Sequence, residues 1–548
     1  MNAPDSIHEE MPTVVAIGHS VPSAATARLT AWELGSKAHN LLQMAQAGLS
    51  VPPAFVITTK ICRAYFEACL PEGFHHDVAS GLRQIESVIH RSFGGNRRPL
   101  LVSVRSGAPV SMPGMLQTIL NVGLNDATIH AFIRTTGNPR LAWDCYRRLI
   151  QCYAEAVHDC ASQPFEKVIA AHLAEGGIGS ERELDAPALR AISQDYLDLF
   201  HELTGRHFPQ DPEEQLITAI KAVFRSWTSE KAREYRRLNR IDEHMGLAVT
   251  VQTMVFGNSG STSGSGVAFT RNPATGDNQL YVDFLLNAQG EDVVSGRRWI
   301  DAREDLDTSL PMVAAELQRV AQTLERHFKD LQDFEFTVER GRLYLLQTRS
   351  GQRTPWAALH IAVSLVREGL IDTDTALQRL SCYDIESITR THLALGNGQS
   401  ALAQATAASV GIAVGPIAFD VEAAKRLAEN NQSPILVREE ISTNDIAGVV
   451  VCGGILTAMG GRTSHAAVVA RQLGKVCLVG CHDLRLDLQN RRAMVGEHAL
   501  REGDLISLDG DNGRVYAGAV NFVTERPIDA LREVERWRTP NNKKDVIS

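Results

Sequence analysis

Residues 460–471 read GGRTSHAAVVAR: two glycines, an arginine, two hydroxyl residues, one histidine and a short apolar helical run. Thr463 or Ser464 can cap the helix that this run begins, which leaves His465 in its first turn. There, unpaired backbone N–H groups and the positive end of the helix dipole favour an anion. A phosphoryl group carried on the imidazole would be stabilised at that position, and the glycines would let a second site approach. An imidazole with a pKa of about 6.5 is largely neutral and nucleophilic at neutral pH. The plainer alternative is a capping or core histidine, and the surrounding sequence must decide between them. GPIAF, PILVREE, GVVV and GILTA precede the histidine as short strands, and DLISLDGDNGRVYAG follows it. Strands alternating with helical stretches predict a small α/β domain over 408–525.

Upstream, 354–395 has the spacing of two helices, and LGNGQSALAQATAAS (395–409) is small and polar, so 353–407 is expected to be a helical linker with a hinge. Residues 526–548, ending WRTPNNKKDVIS, are expected to be a tail. Further back, 30–50 reads as a glycine turn feeding an amphipathic helix that Gly48 ends, and VPPAFVITT as a strand. LLVSVRSGAPVSMPGM (100–115) is β-rich and breaks into a loop; 140–240 is helical in spacing. In 248–276 two apolar strands flank GNSGSTSGSG (257–266), whose glycines and serines could cradle an anion or simply form a flexible surface hairpin.

The strands DFEFTVE and RLYLLQTR meet at Arg340-Gly341. A two-residue loop pairs Glu339 with Arg342 and puts Glu335 and Gln347 on opposite faces. A three-residue loop pairs Val338 with Arg342 and gathers Asp333, Glu335, Gln347 and Arg349 on one face. Such a face would suit Mg²⁺ and nucleotide phosphates, or would be a solvated polar surface.

The 548 residues suggest about three or four domains. With 44% hydrophobic and 22% charged residues and a net charge of −9, nothing argues for nucleic acid or an anionic membrane. No apolar run approaches the roughly 18 residues of a membrane span, and the first residues lack a signal-peptide pattern. Nine scattered cysteines without a CxxC pair fit free thiols in a reducing cytoplasm.

GILTAMGGRTSHAAVVARQLGKVCLVGC resembles the phosphohistidine motif of the pyruvate phosphate dikinase family. LVSVRSGAPVSMPGMLQTILNVGLND, VQTMVFGNSGSTSGSGVAFTRNPATG, NAQGEDVVSG and LQDFEFTVERGRLYLLQTRSG resemble its nucleotide-domain signatures. The resemblance implies an α/β multi-domain chain: an ATP-grasp nucleotide-binding domain (1–352, with a helical insertion at 140–240), then a small swivelling phosphohistidine domain (408–525). It implies a kinase-type phosphotransferase with His465 as phosphate carrier and Arg105 and Arg349 beside the chemistry. ATP contacts would come from Lys37, Arg105, Gly264, Ser265, Asp333, Glu335, Gln347 and Arg349, with Gly264 and Ser265 in a loop over the phosphates. Glu335 and Gln347 would hold Mg²⁺, and the four-residue face fits the three-residue loop. Thr463 matches a threonine that regulated members phosphorylate.

In the family a C-terminal barrel follows that binds pyruvate or phosphoenolpyruvate, and this sequence stops about where it would start. The resemblance therefore implies ATP and inorganic phosphate as substrates and pyruvate on a separate barrel subunit as acceptor. A different small-molecule or protein acceptor, or a non-catalytic nucleotide-binding regulator, are the other readings. GSKAHNL stands where the family has GGKGANL, so Ser36 and Ala38 are expected to restrict a phosphate-facing turn. Ser409-Val410-Gly411 replaces Ser-Pro-Gly, and Met459 and Arg462 exchange residue types.

Overall fold

The computed structural model describes residues 12–18, 28–67, 70–110, 112, 116–294, 306–394, 400–441, 445–461 and 465–538. The chain forms two compact units, Met1–Ser259 with Tyr344–Thr348, and Gly260–Leu343 with Arg349–Ser548.

In the first unit, antiparallel strands lie in the order Val14–Ile17, Ala54–Ile57, Ala248–Thr253, Val102–Gly107, Thr118–Val122. Alternation along the central pair sends Val104 and Val251 into the core and turns Ser103, Arg105, Thr250 and Gln252 to the opposite face. The helical spacing after residue 140 becomes a stack of helices from Pro139–His158 to Glu230–Asn239. In Pro139–His158 the Asn138 side chain accepts from Leu141 N at 3.0 Å and Pro139 sets the first turn. Leu141, Cys145, Leu149, Ile150 and Tyr153 then form one buried stripe on that helix.

The second unit contains the antiparallel strands Tyr281–Leu286, Gly264–Phe269 and Gln332–Glu339, in that spatial order. Beside them, Arg271 is fully buried and bonds Glu325 (2.7 Å) and Glu368 (2.6 Å), tying the end of the middle strand to helices Pro311–Phe328 and Pro355–Arg367. An eight-stranded sheet follows, in the order Ala403–Gln404, Arg514–Ala517, Leu505–Asp509, Ile412–Ala418, Ile435–Arg438, Gly454–Thr457, Val476–Val479, Thr406–Ser409. Ile412–Ala418 through Val476–Val479 pair in parallel, with helices Val421–Glu429, Ile446–Val451 and His465–Gln472 as crossovers.

Three expectations change here. GVVV is helix, not strand, within Ile446–Val451: parallel strands need a crossover, and Gly454–Thr457 already occupies the place beside Ile435–Arg438. Of the expected hinge, 395–399 lie outside the described residues, while Ala403–Gln404 and Thr406–Ser409 are the two edge strands of the eight-stranded sheet. Of the expected tail, Ile528–Arg538 is a helix whose Ala530 and Val534 pack with Leu359, Ala362, Val363 and Leu380 of the linker helices. Residues 539–548 lie outside the described residues. The linker also contributes strand Arg390–Leu393, antiparallel to Phe522–Glu525.

Candidate phosphoryl-transfer site

In the first unit, helix Ala31–Gln46 is broken at Gly35, where φ is 73° and ψ 151°. A Cβ there would stand 2.1 Å from the Gly107 carbonyl oxygen, so only glycine fits the turn. The Ser36 amide and hydroxyl both donate to Ala108 O at 2.9 Å, and neither Ser36 nor Ala38 has positive φ. The expected restriction is therefore absent, because the left-handed conformation falls on Gly35 alone within GSKAHNL. Lys37 sits in the first turn after the break, its Cβ 3.8 Å from where a Cβ on Gly107 would be. Arg105, two residues earlier on that strand, donates from Nη1 to Gln252 Oε1 (3.3 Å) and Leu346 O (3.2 Å). Asn40 Nδ2 holds Thr348 O at 2.8 Å, so both neighbours of the buried Gln347 are fixed. Lys37, Arg105 and Gln347 thus belong to one unit and cluster around one strand end.

In the second unit, cross-strand register puts Asp333, Phe269 and Tyr281 in one row and Glu335, Val267 and Asp283 in the next, all on one face. Arg349 Nε donates to Asp333 Oδ2 at 2.8 Å. Burial pushes the Asp333 carboxyl above the usual carboxylate range, although Arg349 pulls the other way. Burial works against the Arg349 charge, but Asp333 and Glu335 outweigh it and hold its pKa up. Asp283, nine-tenths buried, was not among the candidates read from the sequence, and it lies on the strand Tyr281–Leu286.

The connection between Glu339 and Arg342 is two residues, Arg340 and Gly341, at φ 52° and 77°, and not the three that one shared face required. Strict alternation from that turn would separate Asp333 from Arg349, yet they bond. Alternation breaks once instead: along Arg342–Ser350, Leu343, Leu345 and Gln347 are buried and then Thr348 is too. Gly264 and Ser265 are not in a loop. They begin the buried strand Gly264–Phe269, and Ser265 Oγ lies 3.1 Å from Thr337 Oγ1. Gly264 and Gly266 lie beneath Phe284 and Phe336, whose stacked rings would stand 2.3 Å and 2.4 Å from a Cβ at those positions.

His465 opens helix His465–Gln472, just past the carboxyl end of strand Gly454–Thr457. In parallel α/β sheets that end is where ligands meet helix N-termini. The approach is pinned: Ala458 N and Met459 N donate to Arg438 O (3.1 Å) and Glu439 O (2.9 Å), and Thr457 Oγ1 donates to Met459 O (2.6 Å). Arg462, Thr463 and Ser464, and with them the expected cap and the regulatory threonine, lie outside the described residues. No described helix is long and apolar enough to cross a membrane.

Residues 67–305 and 299–368 match the family model for the pyruvate phosphate dikinase AMP/ATP-binding domain, over more than half of the chain. Residues 430–513 match the mobile domain of PEP-utilising enzymes. The chain is 43% identical over 510 residues to a pyruvate, phosphate dikinase of Clostridium symbiosum, covering 92% of this chain and 58% of that protein. It is 41% identical over 527 residues to one of Rhizobium meliloti, covering 94% and 59% respectively. For a chloroplastic one of Flaveria pringlei the identity is 42% over 489 residues, covering 88% and 51%. The chain thus spans between half and three fifths of the length of these relatives. These matches place the chain in the pyruvate phosphate dikinase family, with an ATP-grasp nucleotide-binding domain followed by an α/β phosphohistidine domain.

Proposed function

We propose that this chain is a dikinase-type phosphotransferase in which His465 takes the β-phosphoryl group of Mg-ATP while inorganic phosphate takes the γ-phosphoryl, releasing AMP and pyrophosphate. The observation that carries the reading is that His465 begins a crossover helix in the same compact unit as the face bearing Asp283, Asp333, Glu335 and Arg349. Lys37, Arg105 and Arg349 offset the crowded phosphate charge, and catalysis rests on positioning and electrostatics. Gly264 and Ser265 anchor the end of the 257–263 loop, which covers the phosphates.

Among the described residues no three His, Cys, Asp or Glu side chains converge as a metal cage. Mg²⁺ needs none: it takes one or two carboxylates and completes its shell with phosphate oxygens and water, so Glu335, with Asp333 beside it on the same face, is a fitting donor set. Bound there, Mg²⁺ would neutralise phosphate charge. The imidazole of His465 forms the new N–P bond as the bond from the β-phosphorus to the AMP oxygen breaks.

Residues 1–352 would bind nucleotide, 353–407 link, and 408–525 carry the phosphoryl group to pyruvate on a separate barrel subunit in the cytoplasm. The test is incubation with Mg²⁺, phosphate and ATP labelled at the β or γ position. Acid-labile β label on the protein, lost in His465→Ala, with AMP formed, is expected. ATP binding with neither label nor AMP would overturn the catalytic reading. Adding pyruvate with a barrel subunit, then other acceptors, identifies where the label goes.

A further inference from the structure

Thr406–Ser409 is an edge strand of the eight-stranded sheet, the kind of element whose outward carbonyls need a partner. Its pairing with Val476–Val479 slips between Ala407 and Ser409, which takes Ala408 out of the ladder. The carbonyls of Ala407 and Ala408 are both gripped by side chains. Tyr281 donates its hydroxyl to Ala407 O at 3.1 Å, and Arg471 donates from Nη1 to Ala408 O at 3.0 Å.

These donors come from different places. Tyr281 belongs to the strand that also carries Asp283, and its ring is fixed by Phe269, centroids 6.4 Å apart, within a cluster including Leu331, Ala357 and Ile361. Arg471 stands on the histidine helix, six positions after His465 and so about 9 Å along the axis. Burial lowers the Arg471 pKa, against the pull of Cys477, Tyr281, Asp333 and Asp283 around it. Arg471 and Tyr281 thus meet on adjacent carbonyls, which brings the guanidinium to the strand that carries Asp283.

We propose that Tyr281 and Arg471 form a docking clasp on strand Thr406–Ser409 that holds the histidine helix against the carboxylate face. If the chain phosphorylates His465 from ATP, as proposed above, Arg471 is a positioning residue for that transfer. The clasp needs no side chain of the reacting set: Tyr281 supplies the hinge-side anchor and Arg471 the helix-side one. Arg471 also sets a cation against carboxylates that would otherwise repel an incoming phosphohistidine.

The docking is read directly by spin labels at Met312→Cys and Met494→Cys, both exposed, in a background with Cys69, Cys152, Cys160 and Cys382 replaced by serine. A narrow distance distribution is expected, broadened by Tyr281→Phe and by Arg471→Ala. Tyr281→Phe removes one oxygen and keeps the ring packing, so the test survives should Arg471→Ala fail to fold. An unchanged distribution in both variants overturns the clasp, whether or not ATP labels the protein.

The second readout concerns transfer. Losing one such hydrogen bond should slow ATP-driven labelling of His465 by about tenfold. Labelling by phosphoramidate, which needs no docking, should be unchanged, as should ATP affinity, and Arg471→Lys should recover part of the rate. Equal ATP-driven rates in parent and variants would remove the positioning role. A parent that takes no label from ATP overturns the proposed function and with it the positioning role, while the spin-label result still decides the clasp.

Discussion

At Asp333 stability and function pull in opposite directions. Burial raises its pKa. A folded pKa above the unfolded one gives stability that is present below the ordinary aspartate range and is lost as pH rises through the raised value. Above the ordinary aspartate range the buried carboxyl is therefore a net cost, which Arg349 reduces and does not cancel. Asp333→Asn should raise the melting temperature at pH 8 by about 1–2 °C, with the gap closing towards pH 4, while lowering ATP-driven labelling. Melts of both proteins across that range check the sign, and a constant gap would dispose of the burial argument. Asp283→Asn should likewise weaken labelling. Its role was invisible in the sequence because a carboxylate in the middle of an apolar strand gains meaning only from the neighbour that register brings, here Glu335 across Val267.

Among the elements, the strand Gly264–Phe269 separates packing from flexibility most cleanly. Its glycines looked like loop residues because the reason for them, the Phe284 and Phe336 rings, lies elsewhere in the chain. Gly266→Ala should destabilise the protein by about 1–3 kcal/mol in urea unfolding, since the ring and the Asp283 carbonyl oxygen, 2.7 Å from the new Cβ, must both give way. A glycine needed only for loop motion would leave unfolding unchanged. Just beyond the strand, Glu325→Gln would leave the Arg271 charge without its full partner in a buried place, at a cost of about 3 kcal/mol in the same measurement. Long periodic elements were legible: the helices after residue 140, and the strands around the histidine. Short ones were not, since GVVV has no length to choose between strand and helix. The Arg340-Gly341 turn was one of two readings the hairpin left open, and the sequence could not choose it because arginine does not advertise a left-handed φ.

On the scale of the whole chain, the largest surprise lies near its end. The helix Ile528–Arg538 supplies Ala530 and Val534 to the core of the linker helices, so what looked like a tail completes a small helical layer. Its charge-rich sequence hides the two apolar positions that pack. Ending the chain at residue 525 should expose the Leu359 and Val363 side of helix Pro355–Arg367, and hydrogen exchange over 355–380 should accelerate at least about tenfold while the five-stranded sheet of the first unit is unaffected. Equal protection in the shortened chain would mean that helix only decorates the surface. The two-domain reading was legible because each half carries its own motif; that Tyr344–Thr348 group with the first unit was not, because it reflects tertiary grouping alone.

The antiparallel pair Arg390–Leu393 and Phe522–Glu525 has one further consequence. Entry and exit of everything between them lie side by side, hydrogen-bonded along four residue pairs. The phosphohistidine domain is thus a cassette on a doubled stem. Such a cassette can be lifted out by a tight turn joining residue 393 to 522, leaving the helical layer closed behind it, and the same geometry would let a different carrier be grafted in its place.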